Sequence, residues 1–566
     1  MRTTVLSRAL STATLLAAAA LGAAACGPPP AARSTEDADS APRKRICREV
    51  EQLRTGAACL GEITAETQSH LGAAYILEEA GGRALSVRCV NGAGGPCAEP
   101  EDTTFAYEGG VLTRTAHRSE LGVPFGYYVY SNLANGKSLR RWQPLSGEDD
   151  TFEHVLWDAR GFIAERRYVD AAGEPLADAD GVYGIRYTRD EEGRISGSLT
   201  VDAGGRPMLN RTSFSGQKYR RDAAGNIVSA ARFDVDDRPS RPGIQRTVFE
   251  YDAWGNVTKT SNFDADGKPS ADTQAGASST ERRDEHGNPV ETRYFGVDGG
   301  PYLAPSGEAG FRAAYDAAGR RVRIAYLNAA GAPAPVRGGV ARIDMRYDPR
   351  GRLVEERYYN EGGEPVVAPI GCAILARKYN DAGDEVVTAY LGPHERPMIR
   401  KGLYSAVARD HDGAHRLLAV AYLDERGKPV DIWRGYAGVR YTYDASGKRT
   451  RTVHVDSSGQ PVEMVDLRML RVAFQGQGLD VPGVTRSRDD ARARAAEALA
   501  RIRGGLGFVA AVRLFADDAS SDGGTGEMAA TALQPEIAKA VAQLAPGDVS
   551  EVLETLGGFF IVQRSK

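Results

Sequence analysis

The sequence predicts a multidomain chain: a large all-β tandem-repeat array followed by a small α+β domain. Three observations predict it. A turn signature recurs with a fixed period through the middle of the chain, and short runs of alternating apolar and charged residues lie between the turns. Beyond about Val465 the repeat stops and helical patterning begins.

The repeat is clearest from Tyr347-Asp348-Pro349-Arg350-Gly351 to Asn360-Glu361-Gly362-Gly363-Glu364-Pro365. The first signature is aromatic-Asp-x-x-Gly, and the second is Asp/Asn-x-x-Gly-x-Pro. First-turn glycine positions fall at 161, 193, 225, 255, 287, 319, 351, 383, 415 and 447, spaced by 32 except for one interval of 30, and His415 replaces one glycine. Asp caps its own backbone in such a turn, and Gly takes the positive-φ place. Runs such as Arg323 to Leu327 and Ala341 to Tyr347 alternate apolar and charged residues, as half-buried strands do. Each unit therefore reads as two strands and two turns, about ten 32-residue units in all. One hairpin cannot bury its apolar face alone, so neighbours must stack. With Tyr251-Asp252-Ala253-Trp254-Gly255-Asn256 as its best example, the unit resembles the YD repeats of RHS-type bacterial surface proteins.

Six regions follow from the chain in order: 1–25, 26–45, 46–101, 102–155, 156–464 and 465–566. Met1 to Ala25 reads as an export signal, with Arg2 and Arg8 before an apolar run that ends in small residues. Leu21-Gly22-Ala23-Ala24-Ala25-Cys26 resembles a bacterial lipoprotein signal, although Ala23 stands where that family prefers Leu. The resemblance implies a lipid on Cys26 and an envelope location, periplasmic or outer-surface; the alternative is ordinary cleavage near Ala25. No other segment has the roughly 18 apolar residues of a membrane span. Gly27 to Lys44, rich in Pro, Ser, Asp, Glu and Ala, reads as a disordered tether.

Residues 46–101 hold Cys47, Cys59, Cys89 and Cys97. An exported segment with four cysteines points to two disulfides with three possible connectivities; zinc is the rival, without a Cys-x-x-Cys knuckle to support it. Cys372, inside a repeat, reads as a buried small apolar residue. Residues 102–155, out of register with the repeat, are expected to cap the array.

Few motifs carry chemistry. Asn262 to Gly267 fits half of a calcium loop, but Thr273 stands at the twelfth place and the segment is one copy of the repeat turn. His411 and His415 lie four apart, in a turn rather than on a helix face. Phosphate loops, dinucleotide glycine patterns and nucleophile elbows are lacking, so neither cofactor nor metal is expected. A net charge of -4 without a basic block argues against nucleic acid.

In the last hundred residues, Leu467 to Phe474 reads as a strand, Ser487 as a helix start, Phe508 to Phe515 and Pro535 to Leu544 as helices, and Gly558 to Gln563 as a terminal strand. This β-α-α-α-β-β order resembles the parvulin-type (PpiC, rotamase) peptidyl-prolyl isomerases. The features that carry it are Gly504-x-x-Gly507-Phe508, Ser520 to Gly524, Leu533-Gln534-Pro535-Glu536-Ile537, Leu544-Ala545-Pro546-Gly547-Asp548-Val549-Ser550 and Gly558-Phe559-Phe560-Ile561-Val562. The resemblance implies rotation about Xaa-Pro bonds, with proline-containing polypeptides or other envelope proteins as partners. Aligned on it, the family's two core histidines fall at Arg471 and Phe560, its pocket methionine near Leu533 and its aromatic wall near Ala542. Arg471, Asp517, Asp518 and Phe560 are thus the candidate catalytic positions, and Leu533, Ile537 and Ala542 the candidate substrate contacts. Loss of both histidines and the aromatic wall leaves turnover open. Two functions are expected from this: an envelope foldase, or a non-catalytic surface scaffold or adhesion lipoprotein carrying a degenerate isomerase fold.

Overall fold

A computed structural model describes residues 42–97, 102–119, 124–133, 137–145, 150–240, 243–400, 403–445, 447–476, 484–517 and 523–565. The signal, Cys26, most of the tether and Asp518 lie outside the described residues. The chain forms two compact units. One is Met1–Arg396 with His411–Leu417 and Tyr443–Arg449; the other is Pro397–Asp410, Leu418–Thr442 and Thr450–Lys566.

In the first unit the repeat is an antiparallel hairpin ladder. Arg342–Tyr347 pairs with Leu353–Tyr359 over six positions, from Arg342↔Tyr359 to Tyr347↔Leu353, with a bulge at Arg346/Tyr347. Leu353–Tyr359 then meets the next hairpin over only three positions, Arg357↔Ile374 to Glu355↔Ala376. The same bulge precedes the Asp of the first turn at Arg282/Arg283, Ala314/Tyr315 and Lys378/Tyr379. In the turn itself, Asp348 Oδ1 accepts the amides of Arg350 and Arg352, each at 2.9 Å, while Gly351 takes φ 87°. His415, at the position that is otherwise Gly, is held at φ 62° with Nδ1 2.7 Å from Asp384.

The aromatic before the Asp ties one repeat to the one before it. Tyr315, Tyr347 and Tyr379 donate their hydroxyls to the carbonyls of Pro289, Arg321 and Leu353, at 3.1, 3.0 and 2.9 Å. A second tyrosine column, Tyr294, Tyr326, Tyr358 and Tyr390, is buried, and burial pushes the Tyr326 phenol up to about 12. Several units also have a third turn, which the two-turn reading lacked. At Ala368–Gly371, Gly371 N donates to Ala368 O at 2.8 Å, and the same bond closes Asp178–Gly181 and Val336–Gly339. Its first residue varies because a main-chain bond closes it, with a side-chain cap added at Asp178.

Residues 102–155 are continuous with the sheet of the array. Strands Asp102–Glu108, Val111–Arg118, Pro124–Asn132, Lys137–Pro144 and Thr151–Trp157 pair in succession and lead into Ile163–Val169. Among them Arg140 is fully buried, its Nε 2.6 Å from Glu153 and its Nη1 3.1 Å from Gln52. Such a charge is tolerated because it is paired.

The cysteine-bearing segment folds into two hairpins, with Cys47 bonded to Cys59 and Cys89 to Cys97. It forms a strap along the first turns of six successive repeats. Arg54 N donates to Gly161 O at 2.8 Å. Arg189 pairs with Glu51 at 3.2 Å and Arg221 with Glu49 at 2.5 Å. Gly72 N donates to Asn256 Oδ1, His70 Nδ1 lies 2.8 Å from Glu285 O, and Asn91 Nδ2 donates to Ala318 O. Cys372 is buried and belongs to neither disulfide.

In the second unit, after the last repeats, the chain forms β1 (Met464–Val465), β2 (Leu467–Val472), α1 (Arg488–Arg503), α2 (Phe508–Phe515), β3 (Met528–Ala529), α3 (Pro535–Val541), β4 (Leu553–Thr555) and β5 (Gly558–Arg564). Strand β5 lies between β2 and β4, antiparallel to both. Side-chain alternation along β5 gives the small sheet two apolar faces. Phe559 and Ile561 join α1 and α2 through Ala491, Ala495, Ala498, Phe508, Val512 and Phe515. Phe560 and Val562 join α3 through Ile537 and Val541. Ser487 caps α1, accepting the Asp490 amide at 3.2 Å.

Candidate functional site

The candidate site lies on the α3 face of the sheet. Arg471 on β2 and Phe560 on β5 are direct cross-strand partners, so the two positions singled out from the sequence meet. Arg471 Nε donates to Gly557 O at 2.6 Å, which anchors the guanidinium at the β4–β5 turn. Phe560 is 8% exposed and packs with Met528, Leu533, Ile537 and Val541. Met469 and Leu553 pack against this cluster and remain only partly buried. A Cβ placed on Gly557 would lie 3.5 Å from the Phe560 ring and 3.6 Å from Gln534 Nε2. A small apolar wall thus carries an amide and a guanidinium at its rim.

The other sequence candidates separate. Leu533 lies in the wall beside Phe560, while Ile537, 2% exposed, belongs to its floor. Ala542 is exposed at the C-cap of α3 and takes no part in the cluster, because the helix ends at Val541 and directs Ala542 to solvent. Asp517 does not face the wall: its Oδ2 accepts the Ala473 amide at 2.7 Å and pairs with Arg486, clasping the end of β2. A carboxylate so engaged is structural. Met528 and Gln534 are the residues that sequence reasoning missed. A broad open depression lined by Arg468, Phe508, Val509, Arg513, Leu514 and Gln563 lies at α2. It offers no carboxylate, thiol or imidazole.

The repeat-turn motifs are explained by their own backbone. Asp264 Oδ1 accepts the amides of Asp266 and Lys268, each at 2.9 Å, which is the repeat capping pattern rather than a calcium shell. His411 ends a strand while His415 binds Asp384, and no group of three or more potential metal ligands occurs among the described residues.

Residues 479–566 match the family model of the rotamase, PPIC-type PPIase domain, and the C-terminal domain is accordingly of parvulin type. Among solved structures, the chain is similar to TbPIN1 in solution, at 25% identity, covering 18% of this chain and 98% of that one, TM-score 0.18. It is similar to the peptidyl-prolyl isomerase ESS1 from Candida albicans at 18% identity, covering 25% and 97%, TM-score 0.18. It is also similar to TcdB2-TccC3 without its hypervariable C-terminal region, at 14% identity, covering 69% of this chain and 22% of that one, TM-score 0.26. No curated protein matches.

Proposed function

We propose that the C-terminal domain is a peptidyl-prolyl cis-trans isomerase acting on proline-containing polypeptides. The observation that carries the reading is the Arg471–Phe560 pair above an apolar wall, with Phe560 inside the segment 479–566 that matches the PPIC-type domain and Arg471 on the strand paired to it. The barrier to prolyl rotation, about 18–20 kcal/mol, comes from amide resonance. At the twisted midpoint the nitrogen lone pair is localised and accepts a hydrogen bond. An apolar wall of Met528, Leu533 and Phe560 suits the proline ring, and N–H donors on Arg471 and Gln534 suit the twisted amide. Neither covalent chemistry nor a cofactor is needed.

The export pattern of residues 1–25 and the two disulfides support an envelope location, with Cys26 as lipid anchor and exported polypeptides as clients. A Cys26→Ser variant that stays in the membrane fraction would refute the anchor. The isomerase test is a protease-free rotation assay with the full chain and peptides differing in the residue before proline. Acceleration that disappears in Arg471→Ala supports the reading; a folded protein without acceleration overturns it. One observation favours the scaffold alternative: both histidine positions of the family are replaced, and the Phe560 side chain helps fill the wall. On that reading the domain binds prolyl peptide without turning it over.

A further inference from the structure

Residues 526–533 carry Met528 and Leu533, two of the wall residues, yet they form little regular structure of their own. Only the two-residue β3 and a single 3-10 turn, Ala530–Ala532, lie between Gly526 and α3. What fixes this segment comes from elsewhere in its compact unit. On one side, the third turn of the ninth repeat, Ile432-Trp433-Arg434-Gly435, docks on it. Arg434 O accepts the Ala529 amide at 2.7 Å, and Arg434 Nη1 donates to Glu527 O at 2.9 Å.

The approach is close. A Cβ on Gly435 would stand 2.6 Å from Ala532 Cβ and 2.9 Å from Ala529 Cβ; one on Gly526 would stand 3.2 Å from Arg434 Nη2. Gly435 also holds φ 79°, so both its space and its conformation exclude a side chain. On the other side, Ala530 N donates to Glu463 O at 2.9 Å, and β1 pairs with β3 through Met464↔Ala529 and Val465↔Met528. Val465 is 1% exposed in the same apolar cluster as Phe560.

We infer that the third turn of the ninth repeat is a working part of the isomerase site: Arg434 and Gly435 are positioning residues that set Met528 and Leu533 for the prolyl ring. This rests on the isomerase reading and adds to it. Arg434 and Gly435 lie in a repeat turn, ahead of β1 and of the matched segment 479–566, and so outside the C-terminal domain. The array therefore supplies a brace that the domain does not contain. A wall held by main-chain bonds from another part of the fold is rigid only while that part is docked, so recognition of the proline ring depends on the repeat.

The test uses the full chain with Arg434→Ala, Arg434→Lys and Gly435→Val. Hydrogen exchange of peptides covering 526–533 and steady-state rotation of a prolyl peptide are read together. Loss of the charged donor to Glu527 O should raise exchange there by about tenfold. It should raise KM several-fold with kcat little changed, while exchange across Arg342–Tyr359 stays at the wild-type level. Arg434→Lys, whose ammonium still reaches a carbonyl, should recover part of both effects; Gly435→Val should exceed Arg434→Ala. Unchanged exchange at 526–533 overturns the brace, and raised exchange with unchanged KM overturns its role in recognition. Wild-type protein without acceleration overturns the isomerase reading instead, and the exchange arm still decides whether the brace exists.

Discussion

Replacing Asp348 tests what makes the repeat a repeat. Its Oδ1 accepts the Arg350 and Arg352 amides at 2.9 Å each, and its Oδ2 meets Arg352 Nε at 2.6 Å. Asp348→Ala removes both caps and the ion pair. A charged capping acceptor contributes about 1–2 kcal/mol. The i,i+4 ion pair, between side chains 13% and 15% exposed, adds roughly 0.5 kcal/mol. Asp348→Asn keeps an Oδ1 acceptor and should lose only about 0.5–1 kcal/mol. The assay is amide exchange at Arg350 and Arg352, since a chain of two units need not unfold in one step. Both amides should exchange faster in Ala than in Asn, and faster in Asn than in wild type. Burial raises the Asp348 pKa, but the Arg350 and Arg352 amides and the Arg352 guanidinium outweigh it, so the carboxyl stays below its ordinary value of 3.8. Its contribution is therefore present above pH 3.8 and lost as pH falls below it. If Ala and Asn exchange alike, the side-chain oxygen does not hold the turn, and Gly351 with the main-chain bonds must do so alone.

Three further outcomes follow from other parts of the molecule. Phe560→Ala opens a cavity in the wall and should cost the C-terminal domain roughly 3–5 kcal/mol, read by denaturant titration followed through near-ultraviolet dichroism. Burial pushes Glu51 up to about 7 despite Arg189, so below pH 4.5 its full stabilisation is present, and it is lost as pH rises through 7. Stability measured at pH 5 and pH 8 should fall by on the order of 3 kcal/mol more in wild type than in Glu51→Gln; equal slopes would refute the shift. Paired Cys47→Ala and Cys59→Ala substitutions remove a cross-link 12 residues apart and should cost about 2–3 kcal/mol, with faster exchange at Gly72 and Asn91 if the strap loosens.

The parts of this fold that were legible in the sequence are those whose cause is local. Asp348 and Gly351 make their turn with their own atoms, and Ser487 caps α1 three residues away. The third repeat turn was not legible because Asp178, Val336, Ala368 and Ile432 all begin it: one main-chain bond closes it in each case, and only some copies, such as Asp178, add a side-chain cap. The strap was hidden for another reason. Glu49 and Glu51 sit in an ordinary strand pattern, and their partners Arg221 and Arg189 lie far along the chain. At the site, Arg471 and Phe560 could be found through the resemblance to the parvulin-type isomerases, which marks one position on the first strand and one on the last. Met528 and Gln534 lie in a segment too short for any periodicity, and Asp517 looked catalytic because nothing in its neighbourhood of sequence reveals the Ala473 amide and Arg486 that engage it.

The strap has a consequence for the order of folding. It leaves the ribosome before the turns it binds, whose contacts with it lie from 107 residues (Arg54 to Gly161) to 227 residues (Asn91 to Ala318) further along the chain. The two disulfides close loops of 12 and 8 residues, and the hairpins pair with near neighbours, so the strap can take shape by itself. Its docking contacts, by contrast, are among the most distant in sequence and must close late. Each repeat that forms offers the next berth along the rail, so the strap is fastened down in the order in which the repeats are completed.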